Sequence, residues 1–383
     1  MEQINIYNQD SVISCIHLSD ELDALKEILT RYRKVYAVMD ENVAMLSPVA
    51  AQLADFLNQT GTPGMLVEAT EEGKSIRTVM NICEWLLEQG ADRDALVIAV
   101  GGGITSDMVG FAASIYKRGV RFAYVPTTLL SQVDAAIGGK TGVNFNHYKN
   151  MFGVIRQPEF TFICPSFLES LSNRDFLSGA AEMLKTFIID ENETYFEAVG
   201  LLSDMNMDFC SRVAEGEDEA DVWPYCVENY SGELLKLITE AARVKAGVVS
   251  RDQFEGGERR KLNLGHTFAH AIETIAQRRG DDVTHGEAVA MGIVLSAALS
   301  GKYAVVNEQW RQECDYSLYQ RFEDDFLAVG LPINCPYKME DMVEAMSKDK
   351  KAEGGKIHFV LPASVGDVRI VDLTLEEVLS MMS

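Results

Sequence analysis

Two hydrophobic rhythms divide the chain. Over roughly the first 160 residues, short apolar runs alternate with segments of helical period. Lys34–Asp40, Gly64–Ala69, Ala95–Val100 and Arg121–Val125 read as strands, and the continuous apolarity of Ala95–Val100 suits a parallel sheet covered on both faces. Between them, Ser75–Gln89 carries Ile76, Val79, Met80, Ile82, Cys83, Leu86 and Leu87 along one face, with Gly90 placed to cap its C-terminus. A second helix is expected from about Thr105 to Lys117. The alternation predicts an α/β domain, a doubly wound sheet over residues 1–160. Beyond about Arg156 the strand signals fade, and residues 161–383 read as a mostly α-helical domain closed by a hairpin over Gly355–Asp372.

At 383 residues the chain is long enough for two cores, and 47% hydrophobic content with no low-complexity tract marks it as ordered. It has no run of eighteen purely apolar residues, and Met1-Glu2-Gln3-Ile4-Asn5 lacks the basic-then-apolar pattern of a secretory signal. Seven scattered cysteines without a Cys-x-x-Cys pair fit a reducing cytoplasm. A net charge of −24 argues against nucleic acid or an anionic membrane as partner. Cations gathered in one place on so acidic a chain therefore point to a polyanionic ligand.

Gly101-Gly102-Gly103-Ile104-Thr105-Ser106-Asp107 follows directly on the Ala95–Val100 strand. Glycines between a strand and a helix N-terminus let the backbone approach phosphate, which points to pyrophosphate, although the Gly-x-Gly-x-x-Gly spacing is absent. Pro126–Asn150, rich in glycine and including Asp134–Asn144, is expected to be a long ligand-lining loop. Glu182 and Lys185, three apart on a helix with small apolar flanks, are expected to form a buried pair. Glu215–Asp221 is acidic and aperiodic and reads as a surface loop.

Three of the six histidines fall within twenty residues. His266 and His270, four apart in Asn263–Glu273, would share a helix face, and His285 heads the next apolar run. They are either core histidines of two packed helices or a metal site. Thr267 stands where a His-Glu-x-x-His peptidase needs its glutamate, so a metal here would serve other chemistry.

Taken together these motifs resemble those of the 3-dehydroquinate synthases, within the sugar-phosphate cyclase family. The resemblance rests on Gly101–Gly103 with Asp107 and Gly110, Pro126–Thr128, Asp134–Asn144, Ala181–Lys185, Val244–Val249, Asn263–Glu273 and His285–Val289, in order over nearly the whole chain. It implies an N-terminal NAD-binding domain, a helical metal- and substrate-binding domain, and an active site between them. The implied metal ligands are Glu182, His266 and His285 around Zn2+ or Co2+, which makes His270 a catalytic group. For the substrate phosphate it implies Lys140, Asn150, Asn263, His270, one of Lys350 and Lys351, and Arg118 from a second subunit of a homodimer. Lys245 and Arg259 would hold the substrate carboxylate, and Asp134 and Lys185 the ring hydroxyls. The implied NAD positions are Asp40, Glu71, Lys74, Gly102, Gly103, Asp107, Thr127, Thr128, Lys149, Phe167 and Ser170, with Lys140 touching both ligands. The implied reaction turns 3-deoxy-D-arabino-heptulosonate 7-phosphate into 3-dehydroquinate and phosphate, a lyase step in the shikimate pathway of aromatic amino acid biosynthesis.

The sequence departs from the family pattern at Ala269, where glycine is more usual, in a longer His266–His285 connection, and in an expanded acidic segment over 203–233. None of these removes a functional side chain. Three rival readings remain. A metal- and NAD-dependent polyol dehydrogenase would need no cations for two anionic groups. A sister cyclase acting on sedoheptulose 7-phosphate would have no carboxylate for Lys245 and Arg259. A non-catalytic metal-binding protein would leave the NAD positions without purpose.

Overall fold

Leu96, Ile98 and Val100 turn to one face of their strand, Val97 and Ala99 to the other, and all five are wholly buried. The strand is thus covered on both sides, which is why it reads as a continuous apolar run. In a computed structural model, which describes residues 1–146, 148–191, 193–349 and 356–382, it lies inside a seven-stranded sheet.

The sheet strands are β1 (Glu2–Asn8), β2 (Ser11–Leu18), β3 (Val35–Asp40), β4 (Gly64–Val67), β5 (Leu96–Gly101), β6 (Arg121–Pro126) and β9 (Phe160–Ile163). Their order is β1-β2-β9-β6-β5-β3-β4, parallel throughout except for the β1–β2 hairpin. Helices Ile76–Glu88 and Gly103–Ile115 pack on the face of Val97 and Ala99. Helices Asp23–Leu29 and Pro48–Gln59 cover the face of Leu96, Ile98 and Val100. Ser75 caps the first of these helices through its side chain and Gly90 follows it at φ 71°, the stop expected of that glycine. From β3 the chain goes outward to β4 and then returns to the opposite side of β3 as β5. The strand order therefore reverses between β3 and β5, and in open α/β sheets ligands bind outside the carboxyl ends of strands at such a point.

Three local expectations change. The stretch from Pro126 to Asn150 is not one long loop: Ser131–Ala135 forms a turn of π-helix, and β7 (Lys140–Phe145) pairs antiparallel with β8 (Tyr148–Ile155). β9, only four residues long, is a sheet strand in a region where strand signals had faded, because so short a run carries almost no periodicity. The acidic run is only partly loop. Asp218 caps helix Glu219–Asn229 by accepting from the Ala220 N–H at 2.9 Å, and Glu219 and Asp221 occupy its first turn, where the helix dipole favours them.

The chain divides into two units that interleave in sequence, Met1–Phe176 with Glu217–Phe254, and Leu177–Gly216 with Glu255–Ser383. A single boundary after residue 160 was expected; instead the chain changes unit three times. Helices Glu219–Asn229 and Ser231–Arg251 join the α/β unit through identifiable contacts. Trp223 packs on Phe176 and donates its indole N–H to the Leu168 carbonyl at 3.2 Å, and the Ser250 hydroxyl accepts from the Tyr7 N–H at 3.0 Å.

The second unit is helical apart from the hairpin of β10 (Lys356–Ser364) and β11 (Asp367–Thr374), as its alternation indicated. Its central element is helix His285–Val306, long and apolar enough by composition to cross a membrane, yet mostly buried within the protein. Here apolarity on all sides marks a core helix.

Helix Gly103–Ile115 meets the sheet at Gly110, where an added Cβ would overlap the Tyr124 hydroxyl. That hydroxyl is buried and has no hydrogen-bond partner among the described residues. Gly110→Ala should therefore cost about 1–3 kcal/mol in denaturant titration. Tyr124→Phe in the same chain should recover part of the loss; no recovery would locate the strain elsewhere.

Candidate functional site

In the α/β unit the glycine turn lies at the carboxyl end of β5, beside the reversal of strand order. Gly101 ends the strand and Gly102 caps helix Gly103–Ile115 with no side chain in the way. A Cβ on Gly102 would lie 3.1 Å from Thr128 Cγ2, and one on Gly103 3.0 Å from Ala135 Cβ. A side chain at either position would thus be crowded, and the first-turn N–H groups of this helix are donors of the kind that favour an anion. The hydroxyls of Thr105 and Thr127 are buried nearby without a partner among the described residues, an arrangement that costs free energy. Asp40 ends β3, accepts from the Asn42 N–H at 2.9 Å, and is raised in pKa by burial. An acid at that strand end suits ribose hydroxyls.

Several expected residues converge here through one lysine. The buried Lys74 ammonium lies 2.6 Å from Asp107 Oδ2 and 2.7 Å from Asn150 Oδ1. Burial pushes the Asp107 carboxyl up, against the opposing pull of Lys74. Glu71 accepts from Asn144 Nδ2 at 2.8 Å, so the loop after β4 is fastened to the β7–β8 hairpin. Thr128 is held by reciprocal hydrogen bonds with Ser131. Lys245 donates to Asp134 Oδ1 at 2.6 Å and to the Asp134 carbonyl at 2.5 Å. Phe167 is wholly buried in the core, and Ser170 donates to the Phe167 carbonyl at 3.0 Å. Lys140, Lys149, Asn150 and Arg118 are exposed. Asn150 and Arg118 both have left-handed backbones, at φ 52° and 68°.

The second unit holds the other expected group. Glu182, on helix Asn173–Ile189, is fully buried and forms an ion pair with Lys185, as the small flanks indicated. Glu182 Oε1 lies 3.2 Å from His285 Nε2 and 3.5 Å from His266 Nε2. One donor atom from each of the three residues falls within 4.8 Å of the others, a set that could hold a metal ion. One carboxylate and two imidazoles suit a divalent transition metal and leave coordination positions open. The His270 ring stacks edge-on to His266 with centroids 5.6 Å apart, but it is outside this set. Asn263 donates to Glu255 at 2.9 Å and Arg259 is buried. Lys350 and Lys351 lie outside the described residues.

Backbone contacts fix the three ligands. His285 is the first residue of its helix, set by a capping box in which Thr284 accepts from the Glu287 N–H and Glu287 accepts from the Thr284 N–H. The Thr-x-x-Glu signal for this start, at 284–287, went unread in the sequence. Gly286 packs so tightly on the Glu182 helix that any Cβ would overlap the Ser178 backbone, and its N–H donates to Ser178 Oγ at 2.9 Å. A Cβ on Gly292 would overlap the Gly265 carbonyl, and Gly265 itself sits at φ 78°, directly before His266. Two glycine contacts thus join the three ligand-bearing segments.

Charges follow from this packing. Burial opposes ionisation of Glu182, but Lys185 and His266 outweigh it and hold the carboxyl well below the usual range. Burial and the Lys185 ammonium push His266 down to about 3. Burial would lower His285 as well, yet its hydrogen bonds to Glu182 and Glu273 carry it up to about 10.

Comparison with known proteins agrees with this geometry. Residues 64–178 match the model of the 3-dehydroquinate synthase N-terminal region, and residues 179–352 that of its C-terminal region. The chain belongs to the 3-dehydroquinate synthase family. A 3-dehydroquinate synthase of Dictyoglomus thermophilum is 38% identical over 81% of this chain and 79% of its own length. One of Pyrococcus abyssi is 39% identical, covering 82% of each. The family's fold extends to a solved 2-epi-5-epi-valiolone synthase from Streptomyces hygroscopicus with NAD+ and Zn2+ bound. It is 27% identical with a TM-score of 0.74, covering 96% of this chain and 95% of that one.

Metal binding should displace the proton that His285 carries below about pH 10 in the metal-free protein. Apparent affinity for zinc should therefore rise about tenfold per pH unit between about pH 6 and 8, read by chelator competition. A flat profile would show that no His285 proton is displaced on metal binding over this range. His266→Ala should lose the metal while His270→Ala keeps it, by elemental analysis.

Proposed function

We propose that the protein converts 3-deoxy-D-arabino-heptulosonate 7-phosphate to 3-dehydroquinate and phosphate. The observation that carries this is the joint presence of two sets of residues: the glycine turn with its partnerless threonine hydroxyls, and the Glu182–His266–His285 donors. The reaction oxidises C5, eliminates phosphate, reduces C5 again, opens the ring and closes a new one by an aldol step. A ketone at C5 acidifies the adjoining C–H, which is what makes loss of phosphate feasible.

NAD would be held by Asp40, Glu71, Lys74, Gly102, Gly103, Asp107, Thr127, Thr128, Lys140, Lys149, Phe167 and Ser170. Bound there, it supplies the hydride acceptor and returns the same hydride. Zn2+ or Co2+ would be held by Glu182, His266 and His285, and supplies acidification of a substrate hydroxyl.

The remaining roles belong to the chain's own side chains. Lys140, Asn150, Asn263, His270 and one of Lys350 and Lys351 would bind the phosphate, with His270 placed to move a proton. Asp134 and Lys185 would orient the ring hydroxyls. Lys185 also stabilises the Glu182 carboxylate that a cation needs as a ligand. Lys245 and the buried Arg259 would bind the carboxylate, a planar fork matching a planar anion. This last pair favours the reading over a sister cyclase whose substrate lacks that group.

A homodimer completes the proposal, with Arg118 serving the neighbouring subunit's phosphate site. Its exposed, left-handed backbone is a strained conformation of the kind that persists where function requires it. All seven cysteines are free, which fits the reducing cytoplasm proposed as the location.

Incubation with the heptulosonate phosphate, NAD+ and zinc should release phosphate with no net NADH. Accumulation of NADH in step with turnover would replace the cyclase reading with a dehydrogenase. His270→Ala should lose about 10²–10⁴-fold in rate. Arg259→Lys should weaken turnover of the carboxylate-bearing substrate more than that of an analogue without the carboxylate, leaving NAD affinity unchanged. An equal loss on both would remove Arg259 from carboxylate recognition.

A further inference from the structure

Glu273 has no part in the roles above, yet its position gives it one. It lies seven residues, about two helical turns, after His266 on helix His266–Arg279, and so occupies the same face as that ligand. Its side chain is only 14% exposed, and its Oε1 is 3.4 Å from His285 Nδ1. The other nitrogen of the same ring, Nε2, is 3.2 Å from Glu182 Oε1. His266 repeats the pattern with a different acceptor: its Nδ1 is 3.1 Å from the Leu264 carbonyl and its Nε2 is directed at Glu182. In both rings the nitrogen remote from the donor cluster faces an oxygen acceptor, and that acceptor decides where a neutral imidazole keeps its hydrogen.

Resting on the metal reading given above, we infer that Glu273 is a positioning residue for the metal centre. It holds the Nδ1–H tautomer and the ring orientation of His285, so that Nε2 presents its lone pair beside Glu182. The Leu264 carbonyl does the same for His266. That carbonyl belongs to the peptide preceding Gly265, whose place is set by contact with Gly292, so backbone packing orients one ligand and a carboxylate orients the other. An acidic partner does more than fix geometry, because it also raises the basicity of the imidazole it holds. One helix thereby supplies both a ligand and the residue that aims the ligand of the next helix.

The test is metal binding by Glu273→Ala and Glu273→Gln, read without turnover. Zinc affinity is measured by chelator competition, the ligand field from the visible spectrum of the cobalt-loaded protein, and folding from Tm of the metal-free chain. Glu273→Ala should lose about 10–100-fold in zinc affinity and shift the cobalt bands. Glu273→Gln, which keeps an acceptor oxygen without the charge, should fall between it and the wild type. Metal-free Tm should fall only modestly, as expected from losing one hydrogen bond to His285, and NAD affinity should match the wild type in both. The inference is overturned if both variants bind zinc within about twofold of the wild type with an unchanged cobalt spectrum. It is equally overturned if affinity falls only in step with Tm. A wild-type chain that takes up neither metal would instead bring down the metal reading itself, and this inference with it.

Discussion

A carboxylate buried at zero exposure is the constraint on which the helical unit depends. Desolvating Glu182 would be prohibitive without compensation, since an unpaired buried charge costs several kcal/mol. Lys185 lies beside it and two imidazoles face it. Such a cluster holds together only if the segments that carry it cannot drift. Gly286 against Ser178 and Gly292 against Gly265 provide that rigidity, because backbone touching backbone leaves no side chain to rearrange. The same glycines explain why helix His285–Val306 can be apolar on every side and still end in a polar site. Its length fills the core, and only its first residue reaches the carboxylate.

The α/β unit solves a different electrostatic problem. Its glycine turn offers backbone N–H groups and hydroxyls, with Lys74 bridging Asp107 of the same helix and Asn150. An anion at the glycine turn would meet fixed dipoles instead of mobile charges, which suits a chain with a net charge of −24. The cations named for the substrate are few against that background. Those that are buried, Lys185, Lys245 and Arg259, are held where burial and neighbouring groups order them.

Much of this was legible in the sequence because the signals are local. The Ala95–Val100 run required a strand covered on both faces, and the glycines after it required a turn into a helix. The period of Ser75–Gln89 with Gly90 behind it fixed a helix and its end. Small apolar flanks around Glu182 and Lys185 foretold a buried pair. The Glu182–His266–His285 grouping, by contrast, came from resemblance to a family. Residue spacing alone had favoured His266 with His270, since four residues on a helix is the only proximity that a sequence displays.

What the tertiary structure decided involves separations that no local pattern encodes. β9 joined the sheet because strands on both sides pair with it, although four residues carry no readable rhythm. Pro126–Asn150 became a π-turn and a hairpin, and Lys74 and Glu71 fasten the hairpin from more than seventy residues away. Residues 217–254 joined the α/β unit because Trp223, Lys245 and Ser250 have their partners there. Glu273 carried no signal of its own in the sequence, and only folding placed it against His285. The sequence by itself determined the elements and the chemistry they carry, because both follow from neighbours along the chain. Which carboxylate serves which histidine was decided by packing between helices, where a missing Cβ on Gly286 sets a distance across more than a hundred residues and one on Gly292 a distance across the shorter span to Gly265.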